Sequence, residues 1–232
     1  MFNLSTQLTN HESTDHKVSR DADDFAALAL TFLTDETALL NLAAVALSDP
    51  VRLATLARES YRHDNGFLKL LLFRSQCDHL RVRLHIWPKT DVRRQNIHDH
   101  RFSFWSRIVR GRMINHVWEV GVGEIREHFQ YYSRAGKSYY AMMKLGTTSL
   151  VETRQFCVAA GGSYFFESGC LHAIECPVET VTILVEDRRE LRPFANVYRV
   201  PGEPQSETPA APALSIAIYR EYLEQIVRGE FA

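Results

Sequence analysis

The residues best suited to chemistry in this sequence are two closely spaced histidines. His98 and His100 flank a single residue, so on an extended strand both imidazoles point to the same face. Imidazole is a common ligand for zinc, copper, iron and nickel. The pair would therefore form half of a metal site. A second candidate segment is Gly161–Cys176, which carries His172 in a run of strand character.

Composition places the chain among ordinary soluble globular proteins. It has 232 residues, of which 45% are hydrophobic and 24% charged, enough to bury a sizeable core. The net charge of −1 gives no support for binding to nucleic acid or to an anionic membrane. No apolar run is long enough to span a bilayer, and the polar N-terminus lacks the apolar centre of a signal peptide. We expect a cytoplasmic protein whose four cysteines, none in a CxxC pair, are reduced.

The sequence divides into five segments of a single domain. We expect a flexible leader at 1–21, a helical segment at 22–66, a β-barrel at 67–200, a linker at 201–213 and a C-terminal helix at 214–232. Leu and Ala recur at helical spacing in the second segment. Asp35 fits an N-cap there, and Asp49-Pro50 ends the helix that Asp35 begins. We interpret these apolar stripes as packing surfaces.

Alternation of residue types predicts many short strands after Gly66. Leu80–Trp87 has period two, with Arg81, Arg83, His85 and Trp87 on one face. Further strands are predicted at Phe67–Phe73, Ile97–Gly111, Met113–Val120, Glu127–Ser133, Ser138–Lys144, Val151–Val158, Ser163–Phe166, His172–Glu175 and Thr180–Glu186. Glycines predict turns between them, at Gly121–Gly123, Ala135-Gly136, Gly146, Gly161-Gly162 and Gly169. Such a succession is typical of a β-sandwich or barrel.

The histidines and glycines together resemble the two motifs of the cupin family. In the first motif His98, His100 and Gly111 match, while Val92 stands at the opening glycine position and Phe104 at the glutamate position. In the second, Gly161, Gly169 and His172 match, while Glu167 replaces a proline and Cys176 an asparagine. The resemblance implies a mainly β fold, the cupin β-barrel (double-stranded β-helix or jelly roll), with N-terminal helices and a C-terminal helix. It also implies that His98, His100 and His172 hold a metal.

The missing glutamate makes the site similar to that of the thiol dioxygenases, of which cysteine dioxygenase is the best-known type. Three neutral imidazoles leave the charge of a divalent metal uncompensated, which favours an anionic ligand such as a thiolate or enolate. Fe(II) is the cofactor this implies, with Zn, Ni, Mn and Cu as alternatives. The chain departs from cysteine dioxygenases because Trp105 lies near their crosslinked cysteine, and Val181–Asp187 lacks the His and Tyr of their relay. Cysteine is therefore a doubtful substrate.

Several further residues are candidates for contact with a substrate. Arg83 and His85 share a face with Trp87, which resembles a pocket-lining tryptophan of the thiol dioxygenases, and Arg81 shares it less convincingly. Arg74 ends the previous strand, where that family places a carboxylate-binding arginine. Tyr164 precedes His172, and its hydroxyl can reach toward the pocket, whereas Phe104 and Trp87 would keep it dry. Asp99 points away from the histidine face, as a surface or hydrogen-bonding group that can hold a neighbouring strand. Four further residues are candidates for an additional metal ligand in place of the missing glutamate: Cys170, Cys176, Glu119 and Glu175.

These observations predict an Fe(II)-dependent, three-histidine dioxygenase that oxidises a small anionic, thiol- or enol-like substrate with O2. One alternative is a zinc or nickel cupin acting as an isomerase or hydrolase. Another is a cupin that binds a ligand without catalysis. The expected partners are a small-molecule substrate and O2, without nucleic acid or membrane, and a homodimer is possible through the C-terminal helix or a sheet edge.

Overall fold

A computed structural model describes residues 27, 29–63, 66–87, 95–133, 140–177, 179–203 and 212–230. After a helical stretch at 29–34, α1 spans Glu36–Ser48 and α2 spans Pro50–Arg58, and α3 follows the sheets at Ile216–Val227. Asp35 caps α1 by accepting from the Thr37 amide, and Asp49 caps α2 by accepting from two amides. The predicted cap and the predicted break at Asp49-Pro50 are both confirmed. The predicted leader and most of the predicted linker lie outside the described residues.

Eleven strands form two antiparallel sheets within the described part of the chain. They are β1 (Tyr61–Arg62), β2 (Leu68–Arg74), β3 (Leu80–Trp87), β4 (Ile97–His98), β5 (Ser103–Arg110), β6 (Arg112–Ser133), β7 (Tyr140–Ala159), β8 (Ser163–Phe166), β9 (Leu171–Glu175), β10 (Thr180–Asp187) and β11 (Phe194–Arg199). The first sheet has the order β1-β2-β3-β10-β5-β8, and the second has the order β11-β4-β9-β6-β7.

The strand order is that of a jelly roll. Four strands of the first sheet, β3-β10-β5-β8, are matched by four of the second, β4-β9-β6-β7. The chain passes repeatedly between the sheets, which makes the two Greek keys of this architecture. A cavity lined by side chains from both sheets lies between them. The predicted mainly β fold with helices before and after the strands is confirmed.

The outer face of the first sheet is covered by helices. Val82, Leu84 and Ile86 of β3 belong to a large apolar cluster that also contains side chains of α1, α2 and α3. The Tyr219 hydroxyl of α3 donates to the Leu71 carbonyl at 2.5 Å, tying the C-terminal helix to β2. Because the apolar face of β3 is used in this way, its opposite face is left for the cavity. The helices thus fix the orientation of the strand that carries Arg83, His85 and Trp87.

Three features of the sheets differ from the sequence prediction. The turns predicted at Gly121–Gly123 and Gly146 are wrong, because β6 and β7 run through them as one long hairpin with register shifts. A Cβ on Gly123 would lie 2.2 Å from the Leu150 carbonyl oxygen, so glycine here serves a close strand approach instead of a turn. The strand predicted at Ile97–Gly111 is interrupted at 99–102. Strands β1 and β11 were not predicted.

Among the described residues, no single helix is long and apolar enough to cross a membrane. One pair of consecutive helices, Thr37–Ser48 and Pro50–Arg58, is together long and apolar enough for a span, but the two helices are bent by 111° at their junction. This match rests on length and composition only.

Candidate metal centre

Three imidazoles converge on the inner face of the second sheet. His98 of β4 and His172 of β9 are directly opposite each other in the antiparallel pairing. His100 follows two residues after His98, and the nitrogen ligand atoms of all three rings lie within 4.8 Å of one another. This group could bind a metal ion, and it is the single such group of three or more His, Cys, Asp or Glu found among the described residues.

Two of the three rings are oriented by backbone carbonyls. His98 Nδ1 lies 2.8 Å from the Asn96 carbonyl oxygen, and His172 Nδ1 lies 3.0 Å from that of Cys170. Because a carbonyl oxygen can only accept, Nδ1 carries the hydrogen in both rings and Nε2 keeps its lone pair. This is the arrangement by which proteins fix the tautomer of a metal-ligating histidine. The donor set therefore fits a divalent transition metal.

Burial keeps the three imidazoles neutral. It lowers the pKa of His98, and it lowers the pKa of His172 to about 3, with the neighbouring His98 adding to the effect. The pKa of His100 falls well below its usual range for the same reason, reinforced by His98 and His172. Neutral imidazole is the form that binds metal, so the folded chain presents competent ligands without first losing protons.

Asp99 anchors the segment that carries the first two histidines. It is buried, with one carboxylate oxygen accepting from the Asn196 amide at 2.7 Å. The other accepts from the Asn196 side-chain amide at 2.7 Å and from Arg192 at 2.9 Å. These bonds join the loop after β4 to β11 and the residues before it. The expected hydrogen-bonding role that holds a neighbouring strand is confirmed, whereas the expected surface position is wrong.

Aromatic side chains, Phe104 and Phe166 among them, contact the imidazoles of the cluster. Phe104 meets the His100 ring edge-on at a centroid distance of 4.9 Å, and Phe166 stacks on His172 at 4.7 Å. Phe104 is 2% exposed, so it excludes water from this side of the histidines. Of the replacement ligands weighed from the sequence, Glu175 points instead to His116, with its carboxylate 3.4 Å from Nε2.

The histidines face a cavity of about 360 Å³ whose wall is rich in cations. The described lining residues with a formal charge are Lys69, Arg81, Arg83, Arg101, Arg188 and Arg199 against Asp99 and Glu186. Part of this positive charge is matched from outside the lining, because Arg81 and Arg188 pair with Asp78 and Arg81 also with Glu59. The other cations of the wall favour an anionic ligand near the histidines.

Arg83 lies in the cavity wall, but its charge is already matched. Its Nε donates to Glu186 of β10 at 2.6 Å, and both side chains are almost fully buried. The positive charges of Arg83, Lys69 and Arg188 outweigh burial and lower the pKa of Glu186 to about 2. The pair is therefore ionised, and Arg83 contributes little net charge to a ligand.

The remaining predicted substrate residues divide between the cavity and the surface. His85, Trp87, Tyr164 and Phe104 line the cavity together with Arg83. The Tyr164 hydroxyl donates to the Met113 sulfur at 3.2 Å, and burial raises the pKa of Tyr164. Arg74, in contrast, lies outside the cavity lining, where it pairs with Glu59 at 2.8 Å on the partly exposed end of β2.

Sequence reasoning missed several lining residues on the first sheet. Lys69 of β2 is paired in register with His85, and its charge lowers the pKa of His85, His98 and His100. Thr182 and Glu186 of β10 also face the cavity. The alternation of Thr182, Leu184 and Glu186 along a predicted strand was the available signal, but it did not show which face turns inward.

Comparison with known proteins gives matches among solved structures only. No family model and no curated protein matches the chain. An RmlC-like cupin from Shewanella frigidimarina is 19% identical over 57% of this chain and 86% of that one, with a TM-score of 0.36. A cupin superfamily protein from Desulfitobacterium hafniense is 10% identical over 54% and 79%, with a TM-score of 0.32. A hydroquinone 1,2-dioxygenase bound to Cd²⁺ and 4-hydroxybenzonitrile is 9% identical over 53% and 66%, with a TM-score of 0.34.

Proposed function

We propose that this protein is a metal-dependent dioxygenase of the three-histidine cupin type, using Fe(II) held by His98, His100 and His172. The observation that carries the proposal is the convergence of three neutral imidazoles, two with Nε2 directed by carbonyl bonds at Nδ1. Fe(II), when bound, would supply the electron exchange with O2 that no side chain of the protein provides. A thiol or enol substrate would give up electrons while O2 is reduced, so that a thiolate R–S⁻ becomes the sulfinate R–SO₂⁻.

The protein's own groups would bind and shield the substrate. The cation-rich wall attracts an anion, and the three uncharged ligands leave the divalent charge available to it. Phe104 and Phe166 keep water away from His100 and His172, which strengthens local electrostatic interactions. Burial raises the pKa of Tyr164, so its hydroxyl stays protonated and keeps its hydrogen bond to the Met113 sulfur at the cavity wall. The partners in this proposal are a small molecule and O2.

The chemistry of the donor set also admits a zinc or nickel enzyme. Three histidines with open positions suit a Lewis acid that polarises a carbonyl or activates water. Asp99, the carboxylate between the two histidines of the first motif, is bonded to Asn196 and Arg192, so the donor set of three imidazoles favours neither metal. The metal that the protein carries when purified distinguishes this candidate from the dioxygenase.

Elemental analysis and O2 consumption together test the proposal. The full chain would be reconstituted with Fe(II) without oxygen and then offered O2 with a panel of small thiols and enolisable diketones. We expect one class to drive O2 uptake, and His172→Ala to lose both the metal and the uptake. His79→Ala, which changes an exposed histidine outside the cavity, should retain both. Stoichiometric iron without O2 uptake on any member of the panel would overturn the proposal.

A further inference from the structure

We propose that His85, Trp87 and Thr182 form a second binding subsite, which takes an uncharged oxygen-bearing group of the substrate, such as a carboxamide. The inference deepens the proposed function, because it rests on the same cavity and names a second anchor of the same ligand. It divides the substrate into an anionic end near the three histidines and a neutral polar end at the first sheet.

Three buried polar atoms meet at this wall without a hydrogen-bond partner among the residues that the structure describes. They are His85 Nε2, Trp87 Nε1 and Thr182 Oγ1, for which the described residues supply no hydrogen bond. The side chains are 7%, 4% and 1% exposed, respectively, and all three line the cavity. Buried polar groups are costly to leave unpaired, so each of these atoms calls for a ligand or an ordered water.

The strand pairing places the three groups side by side. Thr182 of β10 is directly opposite His85 of β3, and Trp87 follows His85 by two residues on the same face. Side chains opposite each other on antiparallel strands are about 5 Å apart at Cβ, and those two residues apart along a strand about 7 Å. One small planar group can therefore contact more than one of them.

The donors and acceptors define what the group must offer. The Trp87 indole can only donate, so the ligand needs an acceptor oxygen there. Thr182 and neutral His85 can each donate or accept. A carboxamide meets all three, because its carbonyl accepts and its NH₂ donates. An aliphatic group would leave the three atoms unpaired.

The charges nearby favour a neutral group over a carboxylate. Burial, Lys69 and Arg83 lower the pKa of His85 well below its usual range, so the ring adds no positive charge. Arg83 is matched to Glu186, and the charge of Lys69 also acts on Glu186. A carboxylate at Trp87 would lie about 13 Å along β3 from Arg83, at the ordinary rise of a strand. Desolvating it there would lack a dedicated counter-ion.

Packing makes the subsite rigid. Phe67 stacks on Trp87 at a centroid distance of 4.7 Å and contacts His85 at 5.1 Å, and His63 stacks on Phe67 at 4.6 Å. These contacts hold the indole and the imidazole in fixed orientations. A preorganised pair of donors loses little entropy when it binds a ligand.

Indole NMR on the metal-free full chain tests the inference. The probes are propionamide and propionate, and the Trp87 indole signal is assigned from its loss in Trp87→Phe. We expect propionamide to shift that signal downfield in a saturable way, while the Trp118 indole signal stays in place. Thr182→Val should raise the apparent dissociation constant about fivefold, as expected for one hydrogen bond. Thr153→Val, at an exposed position, should leave it unchanged.

The two probes distinguish a neutral subsite from an anionic one and from a wall that only water fills. A saturable shift with propionate and none with propionamide would overturn the neutral assignment in favour of an anionic subsite. The absence of a saturable shift with either probe would mean that water alone fills this wall. An unchanged Trp118 signal in Thr182→Val verifies that the variant is folded. Since neither metal nor O2 is present, the result is independent of the test of the dioxygenase.

Discussion

At the scale of single residues, the ion pair of Arg83 and Glu186 cancels two opposite charges in the cavity wall. Both side chains are buried, and their contact at 2.6 Å joins β3 to β10. Arg188 reaches the second oxygen of Glu186 at 3.3 Å. Removing one member of such a pair leaves the other charge buried without compensation. Breaking the pair therefore costs more stability than the intact pair contributes to folding.

We expect Glu186→Gln to lower the free energy of unfolding by about 3–5 kcal/mol, because Arg83 stays buried and loses its counter-ion. Urea denaturation measures this change. In Arg83→Met/Glu186→Gln the loss should be smaller than in Glu186→Gln alone. The matched control is Glu124→Gln, which breaks an ion pair between Arg126 and a half-exposed carboxylate and should cost less than about 1 kcal/mol. Equal losses at the two sites would contradict the argument.

At the scale of elements, the long β6–β7 hairpin extends the second sheet beyond the three histidines. One part of β6 pairs with β9, which bears His172, and a later part pairs with β11. The register shift between Val120 and Glu124 separates these two parts. Glycine at position 123 permits the close approach of the backbone to Leu150. The bulge therefore lets one strand serve two neighbours.

Gly123→Ala should destabilise the protein by about 1–3 kcal/mol, because the added methyl group overlaps the Leu150 carbonyl and the strands must separate. Thermal and urea unfolding measure the change. Val122→Ala is the control, since Val122 is 99% exposed and makes no packing contribution to lose. If the two substitutions have the same effect, the bulge does not depend on glycine.

The sequence predicted strands well where residues alternate. His98 and His100 were recognised from their local spacing, whereas His172 was predicted through the resemblance to a second motif that includes Gly161 and Gly169. Ser163–Phe166 and Leu80–Trp87 have the predicted bounds. The same reasoning wrongly predicted a turn at Gly121–Gly123, because a glycine that forms a turn and a glycine that permits a β-bulge look alike in sequence. Glu186 and Thr182 became recognisable only through pairing with β3, about a hundred residues earlier. Such register information is absent from local patterns.

At the scale of the whole molecule, buried histidines couple folding to pH. The pKa values of His63 and His172 are lowered to about 3, and those of His85, His98 and His100 are also lowered. In the unfolded chain these rings titrate near their ordinary pKa, about 6.5. Below that value the unfolded state binds more protons than the folded state. Stability is therefore fully present above about pH 6.5 and is lost as pH falls.

We expect the metal-free protein to lose stability steadily from about pH 6.5 to about pH 4, with each such histidine contributing up to about 1.4 kcal/mol per pH unit. Glu186 adds to the loss below its unfolded pKa of about 4.5, since its folded pKa is about 2. Chemical denaturation across this range measures the proton linkage. A flat profile would show that these rings are protonated in the folded state and are poor ligands.

The bonds of Asp99 to Asn196 and Arg192 tie the loop between His98 and His100 to β11 and to the residues before it. Asn196 and Arg192 themselves lie outside the cavity lining. The spacing of the two imidazoles therefore depends on side chains that a ligand in the cavity would not touch.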